Sequence, residues 1–181
     1  MDHMHWQDSL FENLAQIGED GQAAAAFLRA RKTKVNFHRA RPNVGAFWTG
    51  FGNICLNSRR YSYESTLTDP YLLSLILHEA RHLRQGLAVA LSVYGELEAW
   101  QLQFRAYQLL AGKTPGNSIS ELLSLPMNWD RTALRRARDL MQTYAGRGYR
   151  VDLLPLYPLR EEILFWLGIS PQKKTGSDRR A

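Results

Sequence analysis

The sequence contains a single cysteine, Cys55, which excludes an intramolecular disulfide and any metal site built from cysteine alone. Long hydrophobic runs are also missing. The most apolar stretches, Tyr71–Leu77 and Leu87–Tyr94, fall far short of the roughly 18–20 residues that span a bilayer. The first twenty residues carry five acids and no Lys or Arg, unlike a signal peptide. No histidine follows His82, and no segment repeats. The chain is therefore expected to be cytoplasmic, without a membrane partner.

What is present suits a globular fold. Hydrophobic residues make up 45% and charged residues 22% of 181 positions, enough for a substantial core. The net charge of +6 is unevenly spread. Gly21–Tyr63 holds eight basic residues and no acid, whereas Glu64–Asp130 holds seven acids against four bases. A second basic stretch follows, with Arg131, Arg135, Arg136, Arg138, Arg147 and Arg150, and Lys173, Lys174, Arg179 and Arg180 close the chain. Such blocks attract anions, including nucleic acid, but no nucleic-acid motif accompanies them and a solvated basic surface accounts for them equally well.

The periodicity predicts an α+β fold. Trp6, Leu10, Leu14 and Ile17 recur at helical spacing, and an alanine-rich helix follows over Gln22–Arg31. Three short strands are expected between Lys34 and Tyr63, at Val35–Phe37, Gly45–Thr49 and Asn53–Asn57, arranged as an antiparallel meander. Thr68-Asp69-Pro70 signals a helix start, with the helix ending near Gly86. Further helices are expected over Ser92–Ala111, over Ser118–Leu125, from a cap at Asn128 to Gly146, and over Leu159–Leu167. An extended Val151–Pro158 should connect the last two. The expected organisation is N-terminal helices over 1–33, a core over 34–112, a helical extension of the same domain over 113–169, and a disordered tail over 170–181.

The helix after Pro70 carries His78-Glu79-Ala80-Arg81-His82. Two histidines four apart project from one helix face and can reach a single ion, while Glu79, offset by about 100°, stands beside that ion as a general base would. A catalytic zinc takes three protein ligands and keeps one open position. With no later histidine, the third ligand must be a carboxylate, and the next helix offers Glu96 and Glu98. The remaining histidines form no second cluster: His3 and His5 lie at the N-terminus, and His38 is alone on a strand. Cys55, on the third strand, reads as core packing.

This pattern resembles the gluzincin metallopeptidases, in which a helix after H-E-x-x-H brings a glutamate to zinc. Their ligand often stands in an E-x-x-A or E-x-x-S pattern, which Glu96 with Ala99 matches and Glu98 with Gln101 matches less well. Only 13 residues separate His82 from Glu96, which is most similar to the compact minigluzincins and the ImmA/IrrE-type peptidases. The resemblance covers roughly residues 34–108. It implies a zincin-like fold, one Zn2+ per chain on His78, His82 and Glu96, with Glu98 as the alternative, and hydrolysis of a protein or peptide substrate. It also implies a sheet edge above the cleft, sought at Asn53–Asn57, where an extended peptide adds as a strand. Many gluzincins place Asp, Asn or Glu one residue beyond the small one to hold a zinc histidine. Here that position is Trp100, so the support must come from elsewhere or be weaker.

In such a site Glu79 would accept a proton from the attacking water and pass it to the leaving amine. Tyr94 and Arg81 are the residues near the motif that could stabilise an oxyanion. A catalytically silent relative, using its basic surface to bind nucleic acid or a protein partner, is the alternative.

Overall fold

The structure, a computed structural model, describes residues 3–146 and 148–169. Arg147 and the segment 170–181, with the expected tail and its four cations, lie outside the described residues. The described residues form an α+β fold of eight helices and a three-stranded mixed sheet.

Helices α1 (His3–Ala15) and α2 (Glu19–Ala30) form the N-terminal layer, which continues into strands β1 (Val35–His38), β2 (Ala46–Trp48) and β3 (Ile54–Asn57). The sheet is not the expected meander. Its order is β1-β3-β2, with β1 parallel and β2 antiparallel to β3. With the third strand in the centre all four of its residues are buried, whereas β1 and β2 each have a more open side. Asn57 is fully buried at the end of β3 and completely satisfied. Its Nδ2 donates to the carbonyls of Arg41 and Val44, and its Oδ1 accepts from the N–H groups of Ala40 and Arg59. Gln7 of α1 accepts from Val35 N–H at 2.8 Å and so covers the outer edge of β1.

Helix α3 (Pro70–Gln85) starts where Asp69 accepts from the N–H groups of Tyr71 and Leu72, with proline in the first turn. Every residue from Leu72 to Ala80 is buried, so α3 is the central helix, covered on all sides. A short turn of helix, α4 (Leu87–Ala90), leads into α5 (Val93–Ala111), capped by Ser92 and ended by Gly112 in the left-handed conformation. At the start of α5 only glycine fits: a Cβ on Gly95 would lie 2.0 Å from the carbonyl oxygen of Val89. Helices α6 (Asn117–Ser124), α7 (Arg131–Ala145) and α8 (Leu159–Trp166) complete the fold. The cap of α7 is Asp130 rather than Asn128, because Asp130 accepts from Thr132 N–H while Asn128 accepts from Asp130 N–H one step earlier. The 151–158 connection includes a 3-10 turn over Val151–Leu153 where an extended chain was expected.

Two hydrophobic cores result. One joins α1, α2, the sheet and α3. The other joins α5, α6, α7 and the 151–157 segment. The packing of α3 against α5 brings them together.

Candidate metal centre

His78 and His82 leave the same face of α3 one turn apart, as the i, i+4 spacing requires. Their Nε2 atoms lie 2.9 Å from each other. Both rings are buried, and Glu96 reaches them from the first turn of α5. Its Oε1 is 3.5 Å from His82 Nε2, and its Oε2 is 3.9 Å from His78 Nε2. Among the described residues these three form a group of metal-capable side chains whose donor atoms all lie within 4.8 Å of one another. An ion with bonds of about 2.05 Å to tetrahedral ligands spaces its donors about 3.3 Å apart, so the three distances fit one small cation with little adjustment.

Glu98, two residues on, points away from the group. It pairs with Arg81 and accepts from Gln85 Nε2 at 2.7 Å. That divergence follows from the helix, where residues two apart face nearly opposite sides. Arg81 and Tyr94 are likewise placed away from the triad: Arg81 is engaged by Glu98, and Tyr94 stacks on Trp129 with ring centroids 4.6 Å apart.

Residues distant in sequence complete the surroundings. Trp100 Nε1 donates to Glu96 Oε2 at 3.2 Å and to Tyr149 Oη at 2.8 Å, and the Tyr149 hydroxyl donates to the same carboxylate oxygen. The Trp100 position, which seemed to leave the site without support, therefore steadies the glutamate rather than a histidine. Gln85 Oε1 meets His82 Nδ1 at 3.0 Å. The Trp48 ring lies 6.2 Å from that of His82, which places β2 next to the triad. The edge nearest the site is thus β2 and not Asn53–Asn57, which is the middle strand. The register pairs Ala46, Phe47 and Trp48 with Leu56, Cys55 and Ile54. Thr49 N–H bonds the Asn53 carbonyl and Asn57 N–H bonds the Gly45 carbonyl, so the alternation turns the backbone groups of Ala46 and Trp48 outward.

A cavity of about 300 Å³ opens beside the triad. His78, Glu79 and Tyr149 share its polar lining with Asn43, Arg60 and Gln103, and Leu75, Tyr71 and Phe104 contribute apolar surface.

The charges of the group act on one another. Burial, reinforced by the Glu96 charge, pushes the Glu79 carboxyl up to about 8, with the Trp48 backbone N–H opposing the shift. Burial and the neighbouring His82 lower the His78 imidazole well below its ordinary range, partly offset by Gln103 and the Ala99 backbone. The Tyr149 hydroxyl is raised by burial and by Glu96, which keeps it protonated and donating. A buried and a half-buried carboxyl thus stand close together, and a divalent ion between them and the imidazoles would offset their repulsion.

No protein-family model, curated protein or solved structure matches the chain.

Proposed function

We propose that the chain is a zinc metallopeptidase of the gluzincin kind, with a compact zincin-like core. The observation that carries this reading is the convergence of His78, His82 and Glu96 on one point, with Glu79 buried beside them on the wall of a cavity. Two imidazoles and a carboxylate are a donor set that zinc favours, and three protein donors leave it a free position. When bound, zinc supplies Lewis acidity to water and to a peptide carbonyl.

The chain's own residues then have separate tasks. Glu79 accepts the proton of the attacking water and returns it to the leaving amine nitrogen. Tyr149 and Trp100 hold Glu96 through hydrogen bonds, so the ligand does not have to be ordered when metal arrives. The outward backbone groups of Ala46 on β2 give an extended peptide an edge to pair with, the Trp48 N–H being taken by Glu79, and the cavity receives a neighbouring side chain.

The test is metal content followed by turnover. Protein purified without added metal is expected to hold close to one equivalent of zinc, lost in the His78→Ala, His82→Ala double variant. Glu79→Gln is expected to keep zinc while hydrolysis of a peptide library falls by roughly 10²–10⁴-fold. Equal cleavage by wild type and Glu79→Gln would sink the mechanism.

One observation favours the second reading, a silent zincin-like binding protein. Arg39, Arg41 and Arg59 are exposed and make no ion pair with described residues. If the wild type cleaves nothing and binds nucleic acid with an affinity that falls steeply with salt, that reading replaces the peptidase.

A further inference from the structure

The hydrogen atoms around Gln85 can be assigned from chemistry alone. Gln85 is the last residue of α3, three beyond His82. Its Nε2 donates to the Gly95 carbonyl at 3.0 Å and to Glu98 Oε2 at 2.7 Å. Both partners are pure acceptors, so the amide has one workable orientation. Turned over, its oxygen would face a carbonyl and a carboxylate at hydrogen-bond distance. Gln85 Oε1 is therefore the atom facing His82 Nδ1 at 3.0 Å, and an amide oxygen can only accept. The His82 proton must sit on Nδ1. Its Nε2 is then bare, and this is the atom that faces His78 Nε2 and Glu96.

We infer that Gln85, held in turn by Glu98, is a positioning residue for the metal centre. It fixes the His82 tautomer whose Nε2 lone pair points at the triad. Arg81 completes the chain by pairing with the other oxygen of Glu98, which keeps that carboxylate oriented and away from the triad. Glu98 thus acts through Gln85 rather than as a ligand. His82 then presents its Nε2 lone pair without a change of tautomer, whereas the 2.9 Å contact between the two Nε2 atoms places the shared proton on His78, which must give it up when a cation arrives. His78 is held less closely: its Nδ1 is buried without a hydrogen bond of normal geometry, with Gln103 and the Ala99 backbone as its nearest partners. Neither Gln85, Glu98 nor Arg81 lines the cavity beside Glu79, so their effect should be on metal and not on substrate.

The inference rests on the triad being a metal centre, but the tautomer can be read without metal. Nitrogen NMR of ¹⁵N-histidine-labelled, metal-free protein at alkaline pH, assigned with a His82→Gln variant, should show Nδ1–H for His82. An Nε2–H signature overturns the inference whatever the protein binds. Gln85→Met keeps length and removes the acceptor. It should lose roughly 10–100-fold in zinc affinity, measured against a competing chelator, with the thermal melt of the metal-free protein showing that it folds. In metal-free Gln85→Met the His82 Nδ1–H signature should give way at least in part to Nε2–H, which a packing role would not predict. Wild type that holds zinc while Gln85→Met holds it equally well overturns the positioning role. Wild type that holds no zinc overturns the metal reading itself, a distinct result.

Discussion

The two cores that meet at the triad differ in how they are made. Around His78 and His82 the packing is mainly aliphatic, supplied by regular helices and a small sheet. Around Glu96 it is aromatic: Trp100, Phe104, Tyr144 and Tyr149 meet mostly edge-on or tilted at 5.3–5.7 Å, and Trp129 joins Tyr157 in the same way. The first core holds its donors on a single buried helix. The second depends on an irregular segment, fastened to the start of α5 where the N–H groups of Val93 and Tyr94 bond the carbonyls of Pro155 and Leu156. Rigidity thus comes from burial on one side and from polar ties on the other. The donor set lies on the seam and needs both.

That comparison can be broken most severely by opening cavities. Phe104→Ala, in the aromatic core, should cost about 3–5 kcal/mol, and Ile76→Ala, behind the histidines, about 2–5 kcal/mol. If the cores form one cooperative unit, denaturant melts followed by fluorescence and by circular dichroism should coincide in both variants. Separate transitions would show the cores melting independently. Metal should tie the halves together. At a free zinc concentration a thousand times the dissociation constant, stability should rise by about 4 kcal/mol, and a chelator should reverse it. Glu96→Ala should abolish that gain even though its ligand comes from the other core.

Smaller changes sharpen the contrast. Tyr149→Phe keeps the ring and removes the hydroxyl from Glu96, so zinc affinity should fall roughly tenfold or more while the melt moves by about 1 kcal/mol. A drop in stability without a change in affinity would reduce Tyr149 to packing. Asp69→Ala removes only the cap of α3. It should cost about 1 kcal/mol and leave zinc affinity nearly unchanged, because the histidines lie two turns further along a helix that burial holds. Calorimetry of each variant with and without zinc would separate the two effects.

These two regions also differ in how far the sequence alone revealed them. Helix α3 was legible at both ends, from Asp69-Pro70 to Gly86, and a fixed 3.6-residue period put His78 and His82 on one face. The small residue Ala99 behind Glu96 pointed to the side of α5 that meets α3, and the structure brings Glu96 rather than Glu98 to the histidines. Strand order was not legible, since three short apolar runs do not say which lies in the middle. The complete burial of Ile54–Asn57 is a property of the assembled sheet. Nor was Tyr149, because nothing local ties a tyrosine in a loop to a glutamate 53 residues away. Gln85 was within reach of local reasoning: three places after His82 on the same helix, it could be seen to approach that ring. Its acceptor role depended on where Gly95 and Glu98 would lie.

The separation of Tyr149 from the triad along the chain has a consequence of its own. All three donors belong to one continuous α3–turn–α5 stretch, whereas the tyrosine closes a loop of 53 residues on Glu96. On loop-length grounds the longer closure costs about 1 kcal/mol more entropy than the one joining His82 to Glu96. A local opening that releases the segment around Tyr149 while α3 and α5 stay docked leaves the donors together and strips the carboxylate of its hydroxyl. In such an opening Trp100, on α5 itself, still holds Glu96, so the gathering of the three donors and the precision with which the carboxylate is held are set by separate parts of the chain.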